Sequence, residues 1–231
     1  RIGGREIAEA LWHRGHSRLE GIFLSHADLD HFNAVPFLLP RFKPQHVMVT
    51  ERMKHQLFQQ RLRERAGIAV GYLADCLEKH QTDPEMLSAN DQLEFGKVQI
   101  EVLAPVQQRE YSSDNDASLV LLLKHPECRV LLPGDIEREG IEVLLGLYAA
   151  SECDVLMVPH HGSVHSEPEL FSQWSRPRFA VVSTGHETLQ DPVLHSYQQI
   201  VNQRRGELLL TSQLGMIEFR LGPEGLEPVA E

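Results

Sequence analysis

Hydrophobic and polar positions along the chain alternate between the spacing typical of helices and the spacing typical of strands. The elements that this pattern predicts in the first third are, in chain order, a helix at 5–14, a strand at 21–25, a helix at 34–39, a strand at 47–49 and a helix at 52–65. Pro40 should end the second of these helices, because proline disfavours continued helix.

The second part of the chain follows a polar stretch at 81–92, which is predicted to be a loop. Its predicted strands are 98–103, 118–124, 129–132, 154–158, 179–183, 208–211 and 216–220, and its predicted helices are 137–148, 167–174 and 193–204. The sequence shows neither an internal repeat nor a linker. We therefore expect one domain of layered α/β type that spans residues 1–231.

The composition narrows the class of protein. The chain has 231 residues, of which 42% are hydrophobic, and 22 basic against 33 acidic residues give a formal net charge of −11. Such a surface binds nucleic acid poorly, so a nucleic acid substrate would have to be held by metal ions or by another domain. Three distant cysteines without a CxxC motif indicate neither a disulfide framework nor a cysteine zinc site.

The segment 25–31, with the sequence Ser-His-Ala-Asp-Leu-Asp-His, directly follows an apolar strand. Burying its two carboxylates unpaired would cost several kcal/mol each, so the segment does not belong to the core. The spacing suits two metal ions, with His26 and Asp28 facing one ion and Asp30 and His31 facing the other. A solvated turn is the alternative. A mixed nitrogen and oxygen donor set fits Zn²⁺ or Mn²⁺ better than Ca²⁺.

Three further segments place ligand-type residues next to a hydrophobic strand, at 114–123, 130–135 and 155–163. An α/β scaffold can present side chains from several strand ends to one cleft. Asp135 is placed to bridge two ions, although a Gly-Asp pair also suits a turn that caps a helix. Core histidines rarely come as an adjacent pair such as His160 and His161. Ser163 is not expected to be a nucleophile, because it does not lie in a GxSxG motif. It is expected either to cap the following helix or to hydrogen-bond a ligand.

Taken together, four ordered motifs resemble the metallo-β-lactamase superfamily. They are SHxDxDH (25–31), NDxSLVL (115–121), LLPGD (131–135) and PHHGS (159–163). More narrowly, the chain resembles the C-terminal hydrolase-like domain of ComEC-type DNA-uptake (competence) membrane proteins. The resemblance implies an αβ/βα sandwich with a metal cleft along one edge, here without its first strands, and a terminal hairpin at 210–215.

The resemblance also implies a site with two divalent metal ions, Mn²⁺ or Zn²⁺. The implied metal ligands are His26, Asp28, Asp30, His31, Asp116, Asp135, His160 (with His161 as the alternative) and Asp191. The implied catalytic residues are Asp30, Asp135 and His161. Asp135 would bridge the ions, and His161, or else His165, would orient the phosphate or protonate the leaving oxygen.

Three positions depart from the pattern of the superfamily. Asp28 occupies the place where most members have a second histidine, and the added hard oxygen favours manganese over zinc. Asp191 precedes a proline where the superfamily has a His-Pro pair. The usual third-ligand region has no histidine, so Asp114, Asn115 or Asp116 would have to serve there.

The function that the resemblance implies is a metal-dependent phosphodiesterase or nuclease that degrades the non-imported DNA strand during DNA uptake. One alternative is a metal-dependent hydrolase of another ester or small phosphodiester. The other is a non-catalytic, metal-depleted module of a DNA-uptake channel.

The expected partners are single-stranded DNA as substrate and the membrane-channel remainder of the same protein, without a cofactor protein. The resemblance places the domain on the extracytoplasmic side of the cytoplasmic membrane, and the isolated domain is expected to be soluble. The sequence contains no apolar run near the ~20 residues that a membrane span requires.

Overall fold

The computed structural model describes residues 2–61, 68–184, 192–222 and 225–230. The chain divides into two compact units, Arg1–Ser88 and Ala89–Glu231. Each unit combines helices with β-sheet, which confirms the predicted α/β class. The expectation of one domain over residues 1–231 stays a prediction.

The first unit surrounds a small parallel sheet with helices. Its elements are α1 (Ile2–His13), β1 (Gly21–Phe23), α2 (Leu29–Phe32), α3 (Val35–Phe42), β2 (His46–Thr50), α4 (Glu51–Arg61), α5 (Ile68–Lys79) and β3 (Glu85–Leu87). The three strands pair in the order β1-β2-β3. Val47 and Val49 of the central strand pack with Leu39 of α3 and with Leu73 and Leu77 of α5 in one buried cluster.

The second unit contains a seven-stranded sheet and a separate hairpin. Its elements are β4 (Gln92–Phe95), β5 (Val98–Ala104), β6 (Val120–His125), β7 (Cys128–Leu132), α6 (Arg138–Leu147), β8 (Val155–Met157), α7 (Pro168–Ser175), β9 (Phe179–Val182), α8 (His195–Gln203), β10 (Glu207–Leu210), α9 (Thr211–Leu214), β11 (Ile217–Gly222) and β12 (Gly225–Ala230). Three short 3₁₀ turns, at Pro159–Gly162, Val164–Ser166 and Pro192–Leu194, complete the unit. The sheet order is β10-β9-β8-β7-β6-β5-β4.

Both faces of the sheet are covered from β7 to β10, because successive side chains of a strand point to opposite faces and each face packs in a buried cluster. Ala180 and Val182 of β9 join the cluster formed with helices α6, α7 and α8. Phe179 and Val181 of the same strand join the opposite cluster, to which the hairpin β11–β12 contributes. The rings of Phe179 and Phe219 lie 5.4 Å apart between their centroids, so the hairpin packs directly on the sheet.

Strands β7, β8 and β9 run parallel, so their carboxyl ends lie at the same edge of the sheet. Asp135 follows β7, and the pair His160 and His161 follows β8. Strand β6 is antiparallel to β7, so its amino end, which Asp116 precedes, lies at this edge as well. One edge of the sheet therefore collects the ligand-type residues of the second unit.

The prediction that Pro40 ends the second predicted helix is wrong, since α3 continues to Phe42. A proline lacks only its own N–H, so this short helix forgoes one hydrogen bond, to the carbonyl of residue 36. Lys43 ends the helix in a left-handed conformation, and its N–H donates to the carbonyl of Leu39.

The sequence pattern also missed several elements. Helix α5 was not predicted, although Leu73, Ala74 and Leu77 have helical spacing and are buried. The loop predicted at 81–92 contains β3, whose three residues are too few to show a period of two. The hairpin predicted at 210–215 is wrong: most of that segment is helix α9, and the hairpin is formed by β11 and β12. Among the described residues, no helix is both long and apolar enough to cross a membrane.

Two glycines of helix α6 give a matched test of this packing. A Cβ at Gly140 would overlap the backbone oxygen of Asp116, whereas a Cβ at Gly146 would have open space. We expect Gly140→Ala to lower the free energy of unfolding by about 1–3 kcal/mol. Gly146→Ala should leave it unchanged or raise it by up to about 1 kcal/mol, because alanine favours helix. Urea unfolding of both variants measures the difference.

The two variants change the same residue type in the same helix, so each serves as the control for the other. Equal stability of Gly140→Ala and Gly146→Ala would contradict the close approach of α6 to residue 116.

Candidate metal-binding residues of each unit

The first set of candidate residues lies in the segment that follows β1 of the first unit. The N–H of Leu24 donates to the carbonyl of Met48, which extends the pairing with β2 up to the start of the motif. Asp28 then occupies the N-cap position of α2, but its side chain makes no capping hydrogen bond. Its carboxylate is therefore not used as a helix cap.

Each histidine of this segment is paired with one aspartate. The Nε2 of His26 lies 3.6 Å from Oδ2 of Asp28, and the Nε2 of His31 lies 3.7 Å from Oδ2 of Asp30. His26 is buried, whereas 55% of the Asp28 side chain and 65% of the Asp30 side chain are exposed. The structure thus brings together the same two pairs that the sequence spacing indicates.

Ser25 contacts both imidazoles of this segment. Its Oγ lies 3.0 Å from Nδ1 of His26 and 3.1 Å from Nδ1 of His31. The centroids of the two rings are 4.2 Å apart. One hydroxyl therefore fixes the Nδ1 side of both rings, and their Nε2 atoms face the aspartates.

The second set of candidate residues lies at the sheet edge of the second unit. The Oδ2 of Asp135 is 3.8 Å from Nε2 of His160 and 3.7 Å from Nε2 of His161. Asp135 is buried, and the N-cap of α6 is Glu137 rather than Asp135. Gly134 and Asp135 do form a turn, as the alternative interpretation of the sequence allowed, but Asp135 does not cap α6.

The Nδ1 atoms of this histidine pair have different neighbours. The Nδ1 of His161 lies 2.6 Å from the carbonyl oxygen of Ser183, which accepts a hydrogen bond from it. This places the lone pair of the neutral ring on Nε2. The Nδ1 of His160 lies 2.8 Å from Oε1 of Glu137. Such contacts on the far side of a ring orient imidazole ligands in metal sites.

The backbone of the histidine pair is strained. His160 and His161 have φ values of 46° and 54°, in the left-handed region, which costs about 1–2 kcal/mol for each non-glycine residue. Gly162 continues the turn with φ 88°, where a side chain would approach Leu194. Ser163 accepts a hydrogen bond from the N–H of His165 and so caps the 3₁₀ turn Val164–Ser166, whereas the N-cap of the next helix, α7, is Glu167. Strain of this kind is typical of functional sites.

The donor geometry of both sets fits divalent metal ions. The four N···O distances of 3.6–3.8 Å are too long for hydrogen bonds. Two ligands bound at ~2.1 Å to one tetrahedral ion lie roughly 3.4 Å apart. Imidazole with carboxylate is a donor set that zinc and manganese both accept.

Asp116 has a structural environment within the second unit. Its Oδ2 accepts a hydrogen bond from Ser113 Oγ at 2.6 Å, and its Oδ1 accepts one from the N–H of Gly140 at 3.2 Å. These bonds explain the burial of its carboxylate, and its role as a metal ligand stays a prediction. Asp191, the last predicted ligand, lies outside the described residues.

Sequence reasoning did not single out Glu137. It lies two residues after Asp135 and also accepts a hydrogen bond from Asn115 Nδ2 at 3.3 Å. The acidic residues at alternate positions of Asp-Ile-Glu were the signal available in the sequence. The contact between Glu137 and His160, however, depends on β8, which brings His160 next to this segment.

The cysteines do not contribute to these sets. Cys76, Cys128 and Cys153 are all free thiols. Burial raises the pKa of Cys153 to about 12, so this thiol stays protonated at neutral pH and is a poor metal ligand.

Two curated proteins are similar to this chain. It is 27% identical over 223 residues to ComE operon protein 3 of Bacillus subtilis (strain 168), which covers 95% of this chain and 27% of that protein. It is 30% identical over 140 residues to Competence protein ComA of Neisseria gonorrhoeae, which covers 60% of this chain and 20% of that protein. The chain therefore spans about a quarter or less of the length of these curated relatives.

A solved structure with a similar fold is a mutant of the CmlA beta-hydroxylase. The TM-score is 0.51 at 12% sequence identity, over 84% of this chain and 43% of that chain. At this identity the likeness shows the fold alone, and one fold hosts many reactions.

The sequence profile of the metallo-beta-lactamase superfamily matches residues 2–186. This match includes all four motifs from which the resemblance was inferred. The two curated relatives agree with the narrower resemblance to ComEC-type proteins. Both the resemblance and the predicted fold class are thereby confirmed. The chain belongs to the metallo-beta-lactamase superfamily.

Proposed function

We propose that this chain is a metal-dependent phosphodiesterase that cleaves single-stranded DNA as part of a larger DNA-uptake protein. Membership of a superfamily that consists mostly of hydrolases supports metal-dependent hydrolysis. The observation that carries the proposal is the set of three histidine–carboxylate pairs that His26, His31 and His160 form at 3.6–3.8 Å.

Each set of residues has a proposed role in holding divalent ions. In the first unit, His26 with Asp28 and His31 with Asp30 form two nitrogen–oxygen pairs. In the second unit, Asp135 and His160 add a further pair. Divalent ions bound by these residues would supply Lewis acidity toward a phosphodiester and neutralise charge that develops on its oxygens.

His161 has the contacts that a proton-transferring residue requires. Its hydrogen bond to Ser183 holds the ring with Nε2 directed away from the backbone. Its side chain is 40% exposed, against 29% for His160. We assign His160 to metal binding, and His161 to orienting the phosphate and, in its imidazolium form, to giving the proton on Nε2 to the leaving oxygen.

The relatives and the net charge of the chain support the proposed substrate and the way it is delivered. One curated relative is named Competence protein ComA and the other ComE operon protein 3, and the first name supports a role in competence for this chain as well. With a net charge of −11, the chain lacks the excess of basic residues that binds DNA by itself. We therefore propose that membrane-embedded parts of a longer protein deliver the DNA, on the outer side of the cytoplasmic membrane.

Substitution of the first set tests the proposal directly. We expect His26→Ala and Asp30→Asn each to lower metal-dependent cleavage of single-stranded DNA by roughly 100-fold or more, because each removes a donor to an ion. Cleavage of an end-labelled oligonucleotide in the presence of Mn²⁺ measures the effect. His55→Ala, at an exposed position of α4, is the control and should retain activity. Full activity of both His26→Ala and Asp30→Asn would place the site elsewhere.

The second set requires its own test. We expect Asp135→Asn to reduce cleavage by a similar factor, on the order of 100-fold, since an amide is a much weaker metal ligand than a carboxylate. Glu142→Gln removes one charge from an exposed position of α6 and should leave the rate unchanged. If both variants lose activity equally, general electrostatics rather than a specific ligand controls the rate.

Removal of metal and a choice of substrates separate the rival functions. We expect chelation to abolish cleavage of single-stranded DNA and added Mn²⁺ to restore it more fully than Zn²⁺, because of the carboxylate-rich donor set. Cleavage of small chromogenic phosphodiesters but not of DNA would favour a different hydrolase. Absence of any hydrolysis with either ion would favour the non-catalytic channel module.

A further inference from the structure

Ser25 has a geometric relation to the metal-binding histidines that its place in the motif does not reveal. Its single hydroxyl lies within hydrogen-bond distance of Nδ1 of both His26 and His31, at 3.0 and 3.1 Å. These two histidines belong to different nitrogen–oxygen pairs, one with Asp28 and the other with Asp30. Ser25 therefore touches both pairs of the first unit at once.

The chemistry of a hydroxyl limits what this contact can do. A serine has one proton to donate and two lone pairs that accept. If the hydroxyl donates to one Nδ1, that neutral ring carries its proton on Nε2 and has no lone pair there. If the oxygen instead accepts from both Nδ1–H groups, both rings present a lone pair at Nε2. Metal ions can bind the Nε2 atoms of both rings only in the second case.

We propose that Ser25 is a positioning residue that accepts a hydrogen bond from both His26 and His31 and so sets both rings in the tautomer that binds metal through Nε2. The inference rests on the proposed metal-dependent function and adds a residue to it. Ser25 itself touches neither an ion nor the substrate in this account.

Burial explains why a protein group has to perform this task. His26 is 2% exposed, and the His31 side chain is 17% exposed, so bulk water has little access to either ring. Helix α2 begins at Leu29. His26 therefore precedes this helix and His31 lies within it, and the rings of both residues contact Ser25. Contacts of this type beyond the ligands themselves commonly change metal affinity 10–100-fold.

Binding of Mn²⁺ and Zn²⁺ to the full chain tests the inference without reference to activity. We expect Ser25→Ala to weaken metal binding by roughly 10–100-fold, measured by titration calorimetry. Ser25→Thr keeps the hydroxyl and should recover most of the affinity. Ser172→Ala is the matched control: its buried hydroxyl donates to the carbonyl of Glu169 within the second unit, and metal affinity should not change.

A spectroscopic measurement separates positioning from a general loss of structure. In the Zn²⁺-loaded wild type, NMR should show slowly exchanging Nδ1–H protons for His26 and for His31. Both signals should be lost or exchange-broadened in Ser25→Ala and retained in Ser25→Thr and Ser172→Ala. Unfolding curves of the metal-free variants report any loss of fold independently.

The outcomes distinguish this inference from the proposed function. If Ser25→Ala binds metal as tightly as the wild type, the proposed role of Ser25 is overturned and the proposed function is unaffected. Metal binding that depends on Ser25, without DNA cleavage, supports the inference and overturns the proposed substrate. Wild type that binds neither ion overturns both, and an equal loss in Ser172→Ala overturns the specific role of Ser25.

Discussion

The chemistry of the second unit depends on the parallel alignment of β7, β8 and β9. Because these strands run in one direction, their carboxyl ends reach the same sheet edge, and the residues that follow them meet there. Asp135 arrives from β7, the pair His160 and His161 from β8, and the carbonyl of Ser183 from β9. The left-handed backbone of the histidine pair is tolerated because this packed edge holds it in place.

In the first unit, one short segment supplies all the histidine and carboxylate groups of the set. Seven consecutive residues after β1 supply two histidines, two aspartates and the hydroxyl that contacts both rings. The long side-chain distances between nitrogen and oxygen are common to both units. In each set, Nδ1 of the imidazole contacts an oxygen of a serine hydroxyl, a backbone carbonyl or a glutamate. Such a contact directs Nε2 of the same ring toward an ion.

The sequence predicted the α/β class, six of the seven strands of the large sheet and the histidine–aspartate pairs of the first unit, because these depend on local spacing. It did not predict β3, β4 or β12, which are too short or too irregular to show a period. The contact between Glu137 and His160 also escaped prediction, since it joins residues more than twenty positions apart. For Asp116 the structure shows hydrogen bonds to Ser113 and Gly140, contacts that the motif alone did not indicate.

Family membership and motif geometry together make metal binding the central claim, on which both the nuclease proposal and the role of Ser25 depend. The measurement that tests it most directly is elemental analysis of the purified wild-type chain after incubation with Mn²⁺ or Zn²⁺ and removal of unbound ion. The account predicts about two ions per chain, as in two-metal phosphodiesterases. Absence of both metals from the protein under either condition would contradict it.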